Sequence, residues 1–456
     1  MSRCSTAASP AHPVRSIANA LSVQNPHALA HVEPHPMKIA LLVAALAVTA
    51  VLSAVNFMTP EKQLDRKLEH LYPVADEQFR REMSVMLGPT IVDGNTVEAL
   101  QNGQEIFPAM LAAVRGARTS IAFETYIYWS GDIGREFANA LTERASAGVR
   151  VHVLLDWVGA IKMDKTLVDE IQRSGAKVHQ FRPLRWFNVA RMNNRTHRKL
   201  LVVDGHTAFT GGVGIADQWK GNAESPEHWR DIHFSVTGPV VAQFQAAFND
   251  NWIKATGEVL NGERHFPKLK ATGDVKAHLF MSSPTGGSDS MQLMYLMAIA
   301  AASKQIDLQS AYFVPDDLSV KALLAARSRG VQIRLLLPGE HIDSYTVRLA
   351  SREQWGPLLK AGVEVHEYLP TMMHNKMMIV DNEMVSVGST NFDPRSFRLN
   401  DEASMNVYDR GFATQMSVVF ENDLKHARRY TYARWEQRPW TEKFLAIVIR
   451  PIRSQL

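Results

Sequence analysis

Cysteine is almost missing from this sequence. Cys4 is the only one in 456 residues, which excludes an intramolecular disulfide and any cysteine-based zinc site. A surplus of one charge is missing too. Fifty Lys and Arg against 46 Asp and Glu give a formal net charge of +4. That excludes a histone-like polycation, and it is compatible with an anionic surface or substrate without requiring one. With 26 Gly and 21 Pro, collagen-like and low-complexity classes are also excluded. Long apolar runs are rare: an uncharged stretch of 17 residues occupies 39–55, at the short edge of the bilayer-spanning range. It reads first as a membrane anchor over 37–58. A cleaved signal peptide beginning at Met37-Lys38 and a buried helix are the other readings, the last disfavoured because the run is apolar all round. Lys62, Arg66 and Lys67 follow the run and only Lys38 directly precedes it, so the long C-terminal part is expected on the cytoplasmic side. Residues 1–36 are rich in Ser, Ala, His and Pro without periodicity and read as a disordered tail.

What the rest contains is a β/α pattern that occurs twice. Helix 100–115 precedes strand 120–129 (SIAFETYIYW), helix 133–147, strand 149–157 (VRVHVLLDW), helix 165–174 and strand 176–181. The same order returns as helix 291–303, QIDLQSAYFV, helix 319–329, VQIRLLLPG and GVEVHEYL, at offsets of about 182 to 187 residues. So long a period is a duplication, not a solenoid. Helices between successive strands argue for parallel pairing. The expected architecture is therefore α/β, with two homologous halves over 59–275 and 276–436 packed about a pseudo-twofold axis and sharing one site. A tail over 437–456 follows.

After the third strand of each half comes the stretch that carries chemistry. THRKLLVVDGHTAFTGGVGIAD supplies His197, Lys199, Asp204 and Gly212, and MHNKMMIVDNEMVSVGSTNFDP supplies His374, Lys376, Asp381, Ser389 and Asn391. Both fit H-x-K-x4-D-x6-G-[GS]. On a strand, residues i and i+2 share a face, so each His and Lys point the same way. Two ammonium groups can neutralise a phosphodiester and its transition state. One imidazole can attack phosphorus, and the other can protonate the leaving oxygen and deprotonate its replacement. Each His needs an acidic neighbour to fix its tautomer; Asp231 and Glu402 stand at similar places after their motifs and are nominated. Asp204 and Asp381 are counted with the catalytic pattern, but at the end of a buried strand they are expected to hold loops and backbone amides. Lys within the pattern argues against a metal site.

The paired motifs resemble those of the phospholipase D superfamily, and more narrowly of its bacterial cardiolipin synthases. IGREFANAL, FTGGVGIADQW, AYFVPDD, VGSTNFDPRSFRLNDEASMNV and the C-terminal RPW extend the likeness over about residues 85–440. The resemblance implies a duplicated α/β/α fold with one shared active site, and a phosphatidyltransferase of the bacterial inner membrane. It also implies metal-independent and cofactor-independent transfer through phosphohistidine, joining two phosphatidylglycerols into cardiolipin with release of glycerol. By that analogy His197 is the nucleophile and His374 the acid. Phosphodiester hydrolysis, of phospholipid or nucleic acid, is the alternative. The family motif usually ends in Asn, which the second copy keeps as Asn391 and the first replaces by Gly214.

Between the third strand and His197 lie Arg182, Arg185, Arg191 and Arg195 with Trp186 and Phe187. They read as a basic, aromatic loop at the site mouth, with Arg182, Arg185 and Arg195 meeting lipid phosphates. The second half has only LPTMM there, so its side of the mouth is expected to be apolar. The tail WTEKFLAIVIRPIRSQL joins an apolar run to Lys443, Arg450 and Arg453 and suits an anionic bilayer surface. Anionic phospholipid and membrane are the expected partners, and the mild net charge argues against nucleic acid.

Overall fold

A computed structural model describes residues 36–57, 64–183, 193–284 and 290–456, with side chains through Leu52 in the first segment. The chain divides into two compact units, Met1–Ser53 and Ala54–Leu456. The tail expected over 1–36 lies outside the described residues except for Pro36, which opens a helix.

That helix, Pro36–Phe57, has 22 residues. Its large apolar side chains, Leu41, Leu42, Val43 and Leu46 among them, are exposed. The expectation of a spanning anchor over 37–58 is not supported: among the described residues, no helix is long and apolar enough to cross a membrane.

The larger unit is built on one 16-stranded sheet. The first half contributes β1 (Val92–Gln101), β2 (Ser120–Thr125), β3 (Arg150–Asp156), β4 (Lys177–Phe181), β5 (Arg195–Thr196), β6 (Leu200–Val203), β7 (Thr207–Gly211) and β8 (Ile232–Thr237). The second contributes β9 (Val275–Ser282), β10 (Gln305–Ser310), β11 (Gln332–Pro338), β12 (Glu364–Tyr368), β13 (Lys376–Val380), β14 (Met384–Gly388), β15 (Asn400–Tyr408) and β16 (Ala427–Tyr430). Outward from the centre the first half runs β1-β8-β7-β6-β2-β3-β4, and the second runs β9-β15-β14-β13-β10-β11-β12 with β16 outside. The orders match strand for strand. The halves join where β1 meets β9, antiparallel, with Val92 opposite Ala277 and Asn95 opposite Val275. Two copies running outward from an antiparallel junction are related by the expected pseudo-twofold.

Along the main sheet path, parallel pairing holds only for β2-β3-β4 and β10-β11-β12, the segments linked through helices, and off that path β5 pairs β15 in parallel. The rest of the main sheet path is antiparallel, because the motif strand turns back on itself. Asp204 and Gly205 have φ of 52° and 66°, and Asp381 and Asn382 have 54° and 56°. Such left-handed pairs make the tight hairpins β6-β7 and β13-β14.

Strands buried on both faces explain the continuous apolar runs: SIAFET, LLVV and KMMIV are buried throughout. Helices Asn102–Gly116, Asp132–Ser146 and Lys165–Arg173 form one outer core with the first half. Helices Ser290–Ala301, Asp317–Ser328 and Tyr345–Lys360 form its counterpart on the second. Helices Val241–Thr256 and Arg410–Leu424 cover the other face in a core that draws strands from both halves. The result is α/β/α layering, with the two motifs brought together near the junction.

Candidate active site

Each motif histidine is held by the half it does not belong to. Strand β5, just before His197, pairs with the start of β15, with Arg195 opposite Asn400 and Thr196 opposite Asp401. The His197 amide donates to the Asp401 carbonyl at 2.9 Å. In mirror fashion, Arg230 bridges to Met373 and the His374 amide donates to the Arg230 carbonyl at 2.7 Å. The carboxylates cross over as well. His197 Nδ1 lies 2.9 and 3.0 Å from the two oxygens of Glu402, and His374 Nδ1 lies 2.8 Å from Asp231 Oδ2. An ionised carboxylate only accepts, so each Nδ1 carries the proton and each Nε2 keeps its lone pair.

The two carboxylates are completed differently. In the second half, Ser389 Oγ donates to Glu402 Oε2 at 2.5 Å and Asn400 Nδ2 to Oε1 at 3.2 Å. In the first half Gly212 stands where Ser389 stands, and a Cβ there would collide with the Asp231 carboxylate. Trp219 Nε1 donates to Asp231 Oδ2 instead, at 2.9 Å, and the Ile232 amide donates to Oδ1 at 2.8 Å. The same tryptophan accounts for Gly214: a Cβ there would lie 3.2 Å from its ring and 2.8 Å from Ile127. Trp219 and Trp229 also stand against the His374 ring at centroid distances of 5.3 and 5.5 Å.

The lysines are placed symmetrically. Lys199 Nζ donates to the His197 carbonyl at 2.8 Å and Lys376 Nζ to the His374 carbonyl at 2.6 Å. His197, Lys199 and His374 line one cavity of about 350 Å³ with Tyr126, Tyr312, Asn391, Arg195 and Arg395, while Lys376 is buried beside His374 outside that lining. Burial lowers the His197 pKa to about 4 and the His374 pKa to about 3, so both imidazoles are neutral near pH 7. Burial also lowers Lys199 to about 7 and Lys376 to about 8, and each ammonium adds to the other's shift or to the histidines'. Burial pushes Glu402 and Asp231 upward, but pairing with His197 and His374 and the nearby lysines hold both below the usual carboxylate range.

The lysine values fix a sign. An anion needs ammonium, and the lysines lose theirs as pH rises through 7 to 8. Sulfate, whose charge is constant in this range, is expected to bind progressively more weakly from pH 6 to pH 9. The loss approaches about tenfold per pH unit for each proton taken up. Lys199→Met should flatten the lower part of that profile. Sulfate competition against substrate across pH checks this, and a flat profile in the parent enzyme would contradict it.

Asp204 and Asp381 do not line the cavity, which corrects their grouping with the catalytic residues. Asp204 accepts from the amides of Arg118, Thr119 and Ser120 and from the Thr119 hydroxyl, at 2.7 to 3.1 Å. Asp381 accepts from the amides of Ser303, Lys304 and Gln305 at 2.7 to 2.9 Å. They tie each hairpin to the entry of the neighbouring strand, as their place in the sequence suggests. Arg195 lines the cavity beside Trp157, its guanidinium 5.5 Å from the ring. Arg182 does not; it lies 3.5 Å from Asp401, beside the β5-β15 pairing. Arg185 falls outside the described residues, with Arg191, Trp186 and Phe187. The methionines of LPTMM are buried, not at the mouth. The second half's wall is Tyr312, Asp343, Asp393 and Arg395. These residues, with Trp219 and Trp229, were missed from the sequence; they sit in loops or in short helical turns such as Asp217–Trp219 and Pro394–Arg398, too short to show a period. Among the described residues, no group of three or more His, Cys, Asp or Glu is placed to hold a metal.

A family model described as "Cardiolipin synthase, PLD-like domain" matches residues 110–252 and 295–424. The chain belongs to this family. It is accordingly an enzyme of the phospholipase D superfamily. Relatives include cardiolipin synthase A of Pseudomonas syringae pv. syringae, 36% identical over 337 residues, covering 73% of this chain and 69% of the relative. Cardiolipin synthase of Alkalihalophilus pseudofirmus is 34% identical over 351 residues, covering 76% and 70%. Among solved structures, phosphatidylserine synthase of Haemophilus influenzae shares the fold at 13% identity, with a TM-score of 0.62 over 83% of this chain and 98% of that one.

Proposed function

We propose that the enzyme joins two phosphatidylglycerols into cardiolipin and releases glycerol. The observation that carries this is the meeting of two crossed His–carboxylate pairs at one cavity, with Lys199 in its wall and Lys376 bonded to the His374 carbonyl. His197 Nε2 attacks phosphorus while His374, which takes up a proton from water as the bound anion raises its basicity, gives that proton to the departing glycerol oxygen. The bond to glycerol breaks and a phosphatidyl–His197 bond forms. A second phosphatidylglycerol then loses a headgroup proton to His374, its oxygen bonds to phosphorus, and His197 is released. Lys199 and Lys376 hold the negative charge through both steps.

The substrate is a bilayer lipid, so we place the enzyme at the bacterial inner membrane, with its catalytic part on the anionic cytoplasmic side, a reading favoured by the basic residues Lys62, Arg66 and Lys67 that follow the apolar run in the sequence. Two apolar surfaces support membrane contact. One is the helix Pro36–Phe57. The other is helix Trp440–Ile449, where Trp440, Phe444, Ile447 and Val448 are exposed beside Lys443 and Arg450.

Purified enzyme given phosphatidylglycerol vesicles should yield cardiolipin and glycerol in equal amounts, with EDTA leaving the rate within about twofold. Phosphatidic acid as the main product would make the enzyme a hydrolase. No lipid product would refute both readings, and full loss with EDTA restored by one divalent ion would refute the metal-free mechanism.

A further inference from the structure

Equivalent loops of the two halves frame the cavity and differ in charge. The loop after β3 brings Val158, Ile161 and Lys162 to it, whereas the loop after β11 brings Asp343. Lys162 sits over the Trp129 ring at 4.0 Å. Asp343 accepts from the Tyr312 hydroxyl, 2.8 and 2.7 Å from its two oxygens. Tyr312 follows β10, whose Ser310 stands opposite Lys376 in the sheet. The carboxylate therefore belongs to the His374–Lys376 wall.

A carboxylate is a poor neighbour for a phosphodiester anion, but it accepts strongly from hydroxyls. The chemistry says where hydroxyls come. In an in-line displacement the leaving alcohol departs opposite the nucleophile, and the incoming alcohol retraces that path. Both headgroup glycerols thus use one place, beside the acid–base group. A second acceptor waits nearby. Asn391 is buried, lines the same cavity, and its Oδ1 has no hydrogen-bond donor among the described residues. The next amide, Phe392 N, donates to the Tyr312 carbonyl at 3.1 Å.

We infer that Asp343 and Tyr312 form an alcohol subsite selecting acceptors with a second hydroxyl next to the reacting one, the 1,2-diol class. This rests on the phosphatidyl-transfer reading above. The reacting hydroxyl gives its proton to His374 Nε2 as its oxygen bonds to phosphorus and the phosphorus–nitrogen bond to His197 breaks. The neighbouring hydroxyl donates to Asp343 and is not consumed.

The test supplies full-length enzyme with phosphatidylglycerol vesicles and equal concentrations of 1,2-propanediol, 1,3-propanediol and 1-propanol. Mass spectrometry then reads the ratio of the three phosphatidyl products. The parent enzyme should favour 1,2-propanediol over 1-propanol by about tenfold or more, because a site built around a hydroxyl rejects the analogue lacking it. The vicinal diol should also exceed the 1,3-diol. Asp343→Leu should bring the first ratio toward one, and Tyr312→Phe should lower it in part. The ratio is internal to each sample, so it does not depend on how much variant folds; if Asp343→Leu gives no product, the Tyr312→Phe ratio decides. A parent without preference, or variants that keep the parent's ratio, would overturn the subsite while leaving phosphatidyl transfer intact. Absence of every phosphatidyl product and of cardiolipin would overturn the transfer reading and the subsite with it.

Discussion

His197→Ala and His374→Ala should each lower cardiolipin formation by at least about a thousandfold, and the double variant should lose no more than the worse single one. The expectation follows from how the site is assembled. Each half offers one imidazole, and the reaction needs a nucleophile and an acid. Neither imidazole is oriented by its own half: Glu402 holds His197 and Asp231 holds His374. Groups that act as a unit are lost as a unit, so the effects do not add. The backbone at both positions is pinned by main-chain hydrogen bonds across the halves, so truncation to alanine should leave the junction formed. Initial rates of glycerol release, with circular dichroism to confirm folding, measure the effect. Substantial turnover in either single variant would mean that the shared site is wrong.

The crossed arrangement was only half legible in the sequence. The i, i+2 spacing gave a common direction for each His and Lys, and the structure adds that each Lys reaches back to its own His carbonyl. Asp231 and Glu402 could be nominated because they recur after their motifs. That each serves the other half's histidine depends on β5 meeting β15 and on Arg230 meeting Met373, pairings between residues about 140 to 205 positions apart that no local pattern encodes. Strand β15 shows the difficulty. Its sequence NDEASMNVY looks polar, yet every residue is buried, because it lies inside the sheet and carries the orienting carboxylate. Burying such polar residues is tolerable only with partners supplied by tertiary structure. Antiparallel pairing at the centre had a local signal, the DG and DN turns after the motif strands, which the helix-crossover argument outweighed. The cavity wall had little: Tyr312 and Asp343 lie in loops and Trp219 ends a single 3-10 turn, where periodicity says nothing about direction.

A donor with an activated leaving group should separate the roles of the two histidines. Such a donor, phosphatidyl-p-nitrophenol, leaves without needing a proton. His374→Ala should still release a burst of p-nitrophenol and accumulate a phosphatidyl adduct on His197, since the next step lacks its base. His197→Ala should release none above background, a loss of at least about a thousandfold. The walls of the cavity favour this assignment. His197 shares its half with Arg195, which lines the cavity, and with Lys162 at the mouth, both suited to hold a diester for attack. His374 shares its half with Asp343 and Tyr312, which suit a neutral alcohol. Two tryptophans also flank the His374 ring, shielding it from bulk water while the intermediate awaits its acceptor. Peptide mapping by mass spectrometry locates the adduct. An adduct on His374 in the His197→Ala enzyme would reverse nucleophile and acid. It would also move the alcohol to the Lys162 side, where, among the described residues, no carboxylate lines the cavity to receive its second hydroxyl.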